Sequence, residues 1–406
     1  MATAKDTKKV NVVNGKVVVK AASDGVKPEP KKAVSIPTQK KQDNGKPEKP
    51  EQKKPVLKVL KMDRKELEPV LSVAKDFIEK KATMPVLTHI RMKTEKEGVL
   101  FAVTDLDKSW SKFLPGKGDD LDVCIPLDIF IREVRALHSD IKEVELKFID
   151  NTVKVNGRCE IFILSGDNFP VLPERGAKQI DVPGFADKLA RLLPAAGESD
   201  ARYILNAVLI DFTAGYSVAT DGHRLHFDRI PVHKEAGQIV ISHDAAAVMG
   251  KHKAANTIRL GKKHISISLA GGIMTARLIE GTYPKYENVI PQGNHIRVTF
   301  QGPDFLKVLE GAIPVVADKG NAIRMTINGK IDIETSNPGI GNYKWHVPCT
   351  AVGAEKNFTV GFNAKYLADA IKAFTSKEDS KVTMTFKDPL SPCMINDRAV
   401  VMPMRT

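Results

Sequence analysis

The chain has 406 residues, 42% of them hydrophobic and 27% charged, with a formal net charge of +13; that is enough for two or three domains with a substantial interior. It contains no run of eighteen or more apolar residues, and "MATAKDTKKV" lacks the apolar stretch of a secretory signal, so the expectation is a soluble, cytoplasmic protein. Four widely separated cysteines (Cys124, Cys159, Cys349 and Cys393) form no Cys-x-x-Cys pair, which argues against a zinc ribbon or a disulfide framework.

Residues 1–54 hold fourteen lysines against six acids, a net +8 that leaves +5 for the rest of the chain. The stretch "VKPEPKKAVSIPTQKKQDNGKPEKPEQKKP" has no aromatic residue and cannot bury enough surface to offset the entropy of ordering. Residues 1–54 are therefore expected to be a disordered tail, with at most a salt-sensitive attraction to nucleic acid.

Beyond the tail, "MDRKELEPVLSVAKDFIEK" from Met62 and "PLDIFIREVRALHSD" from Pro126 have the spacing of amphipathic helices, followed by the alternating strands "VELKFID" and "VKVNG". The order returns with "VPGFADKLARLLPAAG" from Val182, "AVLIDFTA", "SHDAAAVMGKHKAA" from Ser242 and "HISISLAG". It returns again with "GPDFLKVLEGAIPVV" from Gly302, "NAKYLADAIKAFTS" from Asn363 and "VTMTFKD". The interval is about 120 residues. The expected fold class is α+β: three repeated units over 55–180, 181–297 and 298–406, each with two helices on one face of antiparallel sheet. A unit that stacks edge to edge needs caps or closure to protect its sheet edges, which points to a closed ring.

The segment "YSVATDGHRLHF" (216–227) concentrates groups that could carry chemistry. His223-x-x-His226 with Asp221 and Asp228 offers metal-ligand residue types, but Asp-Gly between β-formers predicts a hairpin, and residues three apart on a strand face opposite sides. Asp105 and Asp107 read as a solvated turn. No nucleophile elbow, phosphate-binding loop or dinucleotide fingerprint is present, so no metal, cofactor or catalytic group is expected. Apolar or small residues with one pinned cation suit a peptide groove, and the terminal "AVVMPMRT", with Met402 and Met404 around Pro403, adds adaptable apolar surface.

"ATMPVLTHIRM", "ARYILNAVLI", "SVATDGHRLHF", "EGTYPKYENVIP", "VGFNAKYLADAI" and "VVMPMRT" occur in an order that resembles the bacterial sliding clamps, the beta subunits of DNA polymerase III, across residues 56–406. The resemblance implies a homodimeric ring of clamp domains, helices lining the hole and antiparallel sheets outside. Such a ring slides on double-stranded DNA without sequence preference and tethers a polymerase, a clamp loader and repair proteins through short linear motifs. It implies a partner groove at Leu205, Thr220, Gly222, His223, Arg224, Leu225, Pro284, Asn288, Val289, Leu390, Pro392, Val400, Val401, Met402, Pro403, Met404 and Arg405. Asn288, Pro392 and Thr406 depart from the usual Arg, Ser and Leu of the family. It further implies DNA contacts at Lys81, Arg202 and Tyr203. Arg135, Lys188, Arg191, Lys251 and Lys307 join them by position on lining helices. Ring closure is expected at Ile161 and Ile163 against Val315 and Val316.

Overall fold

The computed structural model describes residues 57–79, 83–252, 254–316, 321–355, 357–375 and 380–405; the expected tail over 1–54 lies outside them. The first unit runs β1 (Leu57–Asp63), α1 (Arg64–Ala74), β2 (His89–Glu95), β3 (Gly98–Thr104), β4 (Lys108–Pro115), β5 (Lys117–Gly118), β6 (Asp122–Pro126), α2 (Leu127–Arg135), β7 (Glu143–Ile149), β8 (Thr152–Val155), β9 (Cys159–Phe162) and β10 (Leu164–Ser165). The second runs β11 (Lys178–Asp181), α3 (Phe185–Leu192), β12 (Ala207–Asp211), β13 (Tyr216–Thr220), β14 (Arg224–Arg229), β15 (Gln238–Ser242), α4 (His243–Lys251), β16 (Thr257–Leu260), β17 (His264–Leu269) and β18 (Gly272–Arg277). The third runs β19 (Ile296–Gln301), α5 (Gly302–Ala312), β20 (Ala322–Ile327), β21 (Lys330–Asn337), β22 (Gly341–Val352), β23 (Phe358–Asn363), α6 (Ala364–Phe374), β24 (Lys381–Phe386), β25 (Cys393–Ile395) and β26 (Ala399–Val401).

Each unit is two half-units of strand, helix and three strands, with the two-residue strands β5 and β10 added in the first unit, and the halves exchange their opening strands. β1 pairs with β7 and β6 with β2; β11 with β16 and β15 with β12; β19 with β24 and β23 with β20. Strands β11 and β19 both pair within the unit that follows, so the divisions expected at 180/181 and 297/298 cut through strands. They belong before Lys178 and before Ile296.

Local chemistry explains the helices. In α1, Leu67, Val70, Leu71 and Ala74 are buried at helical spacing, and Asp63 caps the N-terminus by accepting from Lys65 N at 2.7 Å. Strand β12 is buried at every position because both faces are covered: Val208 and Ile210 meet the helices, while Ala207 and Leu209 meet a separate cluster on the outer face.

The units are joined strand to strand. At the first joint β4 pairs with β18, and fully buried Trp110 of β4 donates from Nε1 to the Leu269 carbonyl at 3.0 Å. Asp76, just beyond α1, accepts from Lys251 Nζ at 2.8 Å and also bonds His252 at the end of α4. At the second joint β14 pairs with β26, placing Arg224 opposite Val401 and His226 opposite Ala399. His226 is sealed there, its ring edge-on to Phe374 at 5.3 Å and its Nδ1 2.8 Å from the Arg191 carbonyl. Because a carbonyl only accepts, Nδ1 carries the proton.

Two outcomes are expected. Trp110→Ala should cost about 3–5 kcal/mol of stability in urea unfolding, and Trp110→Phe less, because it keeps most of the ring. Burial pushes the His226 imidazole down to about 4, whereas the unfolded chain protonates it near about 6.5. The unfolded state thus binds more protons between these values, so stability is full above the upper one and declines as pH falls toward the lower. The urea midpoint should fall across this window in the native chain and fall less steeply in His226→Phe.

Candidate functional site

The hairpin β13–β14 closes through side-chain chemistry concentrated in "TDGHR". Gly222 has φ +87°, the left-handed region that suits glycine. Asp221 Oδ1 accepts from His223 N and Arg224 N at 2.9 and 3.1 Å, while the Thr220 hydroxyl accepts from Gly222 N and donates to the Arg224 carbonyl. The turn is thereby rigid before anything binds it.

Across the second joint the terminal segment lies against this hairpin. Met402 N donates to the His223 carbonyl at 3.0 Å and Met404 N to the Gly361 carbonyl at 2.8 Å, so the chain end bridges β14 and β23. On the outer face Leu225, Phe227, Met394 and Val400 form one apolar cluster with Leu209, Val218, Tyr283 and Tyr286. The Tyr283 hydroxyl accepts from Thr220 N at 3.2 Å, fixing this cluster to the hairpin.

The expected groove residues separate into layers. Gly222, His223, Pro284, Asn288, Val289, Leu390, Met402 and Arg405 are exposed, and Thr220, Pro392, Pro403 and Met404 are partly covered. Leu205, Leu225 and Val400 are buried, so they shape the floor from beneath. Val401 departs from the expectation. Strand side chains alternate, and with Val400 on the outer face Val401 packs into the interior of the third unit.

Arg224 likewise turns from the outer face. It donates to Asp221 Oδ2 at 3.0 Å and to Asp369 Oδ2 at 2.6 Å, and its guanidinium lies 4.2 Å above the Tyr366 ring. His223 stacks on that same ring with centroids 6.4 Å apart. Tyr366 and Asp369 were missed. Their signal was present in "NAKYLADAI", where a spacing of three puts both on one face of α6. The two histidines of the metal reading cannot converge, since His223 is exposed in the turn while His226 is enclosed with its Nδ1 committed.

The expected DNA-facing cations also divide. Lys81 lies outside the described residues. Arg135 on α2 and Lys307 on α5 are exposed. Arg202 is exposed and gripped by Asp200, whose carboxyl it holds down at about 2, and the Tyr203 hydroxyl donates to the Glu280 carbonyl at 3.3 Å. Lys188, Arg191 and Lys251 are not free charges. The first two lie 3.8 and 2.6 Å from Asp228, a buried carboxylate that needs them, and Lys251 is held by Asp76.

The side chains nominated for the closure surface from the resemblance are largely covered within the single chain. Ile161 and Val316 are buried within their own units, and Ile163 and Val315 are half-buried. The exposed apolar side chain of β9 is Phe162, at 80%.

The chain matches three family models in order: the N-terminal domain of the DNA polymerase III beta subunit over residues 59–173, the central domain over 179–285 and the C-terminal domain over 287–405. The beta sliding clamp of Caulobacter vibrioides is 25% identical over 382 residues, covering 85% of this chain and 99% of that protein. That of Bacillus subtilis is 23% identical over 361 residues, covering 81% and 94%. Among solved structures, sliding clamps from Pseudomonas aeruginosa and Bartonella birtlesii superpose with TM-scores of 0.76 and 0.77, each at 23% identity and covering 86% of this chain and 100% of theirs. Three matched domains in sequence, on a fold of three doubled units joined edge to edge, carry the conclusion: the chain belongs to the DNA polymerase III beta subunit family, the sliding clamps, non-catalytic processivity factors of DNA replication.

Proposed function

We propose that this clamp, acting in the cytoplasm, closes into a ring with a second copy by pairing β9 of one chain with β22 of the other. It then carries duplex DNA through the hole and receives partner peptides over Leu225 and Val400. The observation that supports closure is a repeated rule of pairing. At both internal joints the fourth strand of a first half-unit, β4 or β14, pairs with the fourth strand of the next unit's second half, β18 or β26. Applied once more, the rule leaves β22 and β9 as the matching pair.

The side chains on these strands favour that pairing. Trp345 of β22 sits opposite Ile333, an interior residue, and so occupies the core side of its sheet, yet it is 59% exposed. Ile161 of β9 likewise sits on the core side, opposite Val153. Pairing the two edges would continue one interior layer from Ile161 to Trp345 and cover an apolar ring that water now reaches. For the hole, Arg135 and Lys307 are, among the described residues, nominated cations that make no ion pair with a neighbouring carboxylate. Weak phosphate contacts suffice for a ring held by topology. For the groove, the exposed rim of His223, Val289, Leu390 and Met402 over a buried apolar floor suits a short linear motif anchored by apolar side chains.

Three experiments test this reading. Trp345→Asp should shift the protein from dimer to monomer in light scattering and abolish its retention on nicked circular DNA after loading; a variant that stays dimeric overturns the β9–β22 pairing. Linearising the circle should release the native protein, and retention would refute encirclement. Separately, deletion of Met402 to Thr406 should leave the dimer intact while weakening a polymerase-derived peptide by about tenfold or more. Unaltered peptide affinity would remove the groove assignment.

A further inference from the structure

Away from the groove, at the opposite end of α6, three arginines from three elements line one cavity of about 510 Å³: Arg191 of α3, Arg297 of β19 and Arg398 of the β25–β26 turn. Two carboxylates accompany them. Asp397 lines the cavity, and buried Asp228 stands 2.6 Å from Arg191 and 4.0 Å from Arg398. Among the described residues the Arg297 side chain makes no ion pair or hydrogen bond, and the side chain of Arg398 is 52% exposed, with Asp228 at 4.0 Å as its ion-pair partner. The cluster therefore retains positive charge that its own acids leave unbalanced.

The remaining lining also offers donors. Thr375 Oγ1 is buried and has no partner among the described residues, an arrangement that costs free energy unless something accepts from it. Thr385 Oγ1 already accepts from Asn294 Nδ2 at 3.1 Å, which leaves its own proton to give. The guanidinium groups of Arg297 and Arg398, beside an Arg191 already committed to Asp228 and with hydroxyl donors in the same lining, complement an acceptor that has oxygens in several directions. A carboxylate presents two oxygens in one plane; a phosphate presents a tetrahedral set, which the planar fork of arginine also matches.

We infer that this cavity at the joint of the second and third units is a phosphate-binding site. Its ligand is either a phosphate of duplex DNA or a free phosphate ester. The site stands on geometry independent of ring closure and of the peptide groove.

Calorimetric titration of inorganic pyrophosphate into the full chain at fixed ionic strength tests it. Saturable binding is expected, weakened about tenfold or more by Arg297→Ala combined with Arg398→Ala. Thr375→Val should weaken it by a smaller factor. Arg297→Ala alone removes an exposed, unpaired side chain and keeps the test valid should the double variant fold poorly. Absence of saturable binding, or equal affinity in the native chain and Arg297→Ala, overturns the proposal. With the site occupied, displacement of pyrophosphate by a short duplex supports DNA as the source. Retention supports a free phosphate ester.

Discussion

Pairing of exposed strand edges is the constraint on which the rest of this molecule depends. A strand edge carries a row of backbone donors and acceptors that must meet either water or another strand, and an unpaired apolar edge invites uncontrolled association. Here the edges are resolved by joining one unit to the next through the same ordinal strands, β4 to β18 and β14 to β26. The sheets consequently run through the joints, and a twelve-stranded sheet spans the second and third units. The outer-face cluster of Leu225, Val400, Met394 and Tyr283 exists because residues from both units are brought side by side by that pairing.

The joints also determine where charge is available. Arg224 is held by Asp221 of its own hairpin and by Asp369 across the second joint, Lys251 by Asp76 across the first, and within the second unit Arg191 and Lys188 stand over the buried Asp228. A desolvated carboxylate needs close cations, so these charges are spent on assembly before any polyanion approaches. The body, with its modest net charge, can therefore offer a nucleic acid only the cations that stand free of carboxylates. A protein retained on DNA by topology requires no more than that.

Helix α6 links the two features that flank the second joint. Its first turn carries Tyr366, on which Arg224 and His223 lie, and its end carries Phe374, against which His226 is sealed. One rigid element thus positions the hairpin turn at one end and closes the arginine-lined cavity at the other. The neutral His226 between them is a consequence of burial: at that depth an imidazolium would have too little solvation to compensate its charge.

Local pattern made much of this legible. Helical spacing located the six α-helices of the described residues, strand alternation and the 120-residue repeat announced three α+β units, and Asp-Gly between β-formers marked the β13–β14 turn. Alternation alone leaves the two faces of a strand unranked: the resemblance implied Ile161 at the closure surface and Val401 beside Val400 in the groove, and the structure packs both side chains inward. Tyr366 and Asp369 escaped for a related reason: their partner Arg224 lies more than a hundred residues earlier, and only the pairing of β14 with β26 brings them together. The sequence by itself therefore determined the elements, their threefold order and the rigid turn, all of which depend on neighbours within a few residues. The tertiary structure decided which face of each strand is interior and which cations are free, because both depend largely on contacts between segments far apart in the chain that no local periodicity encodes.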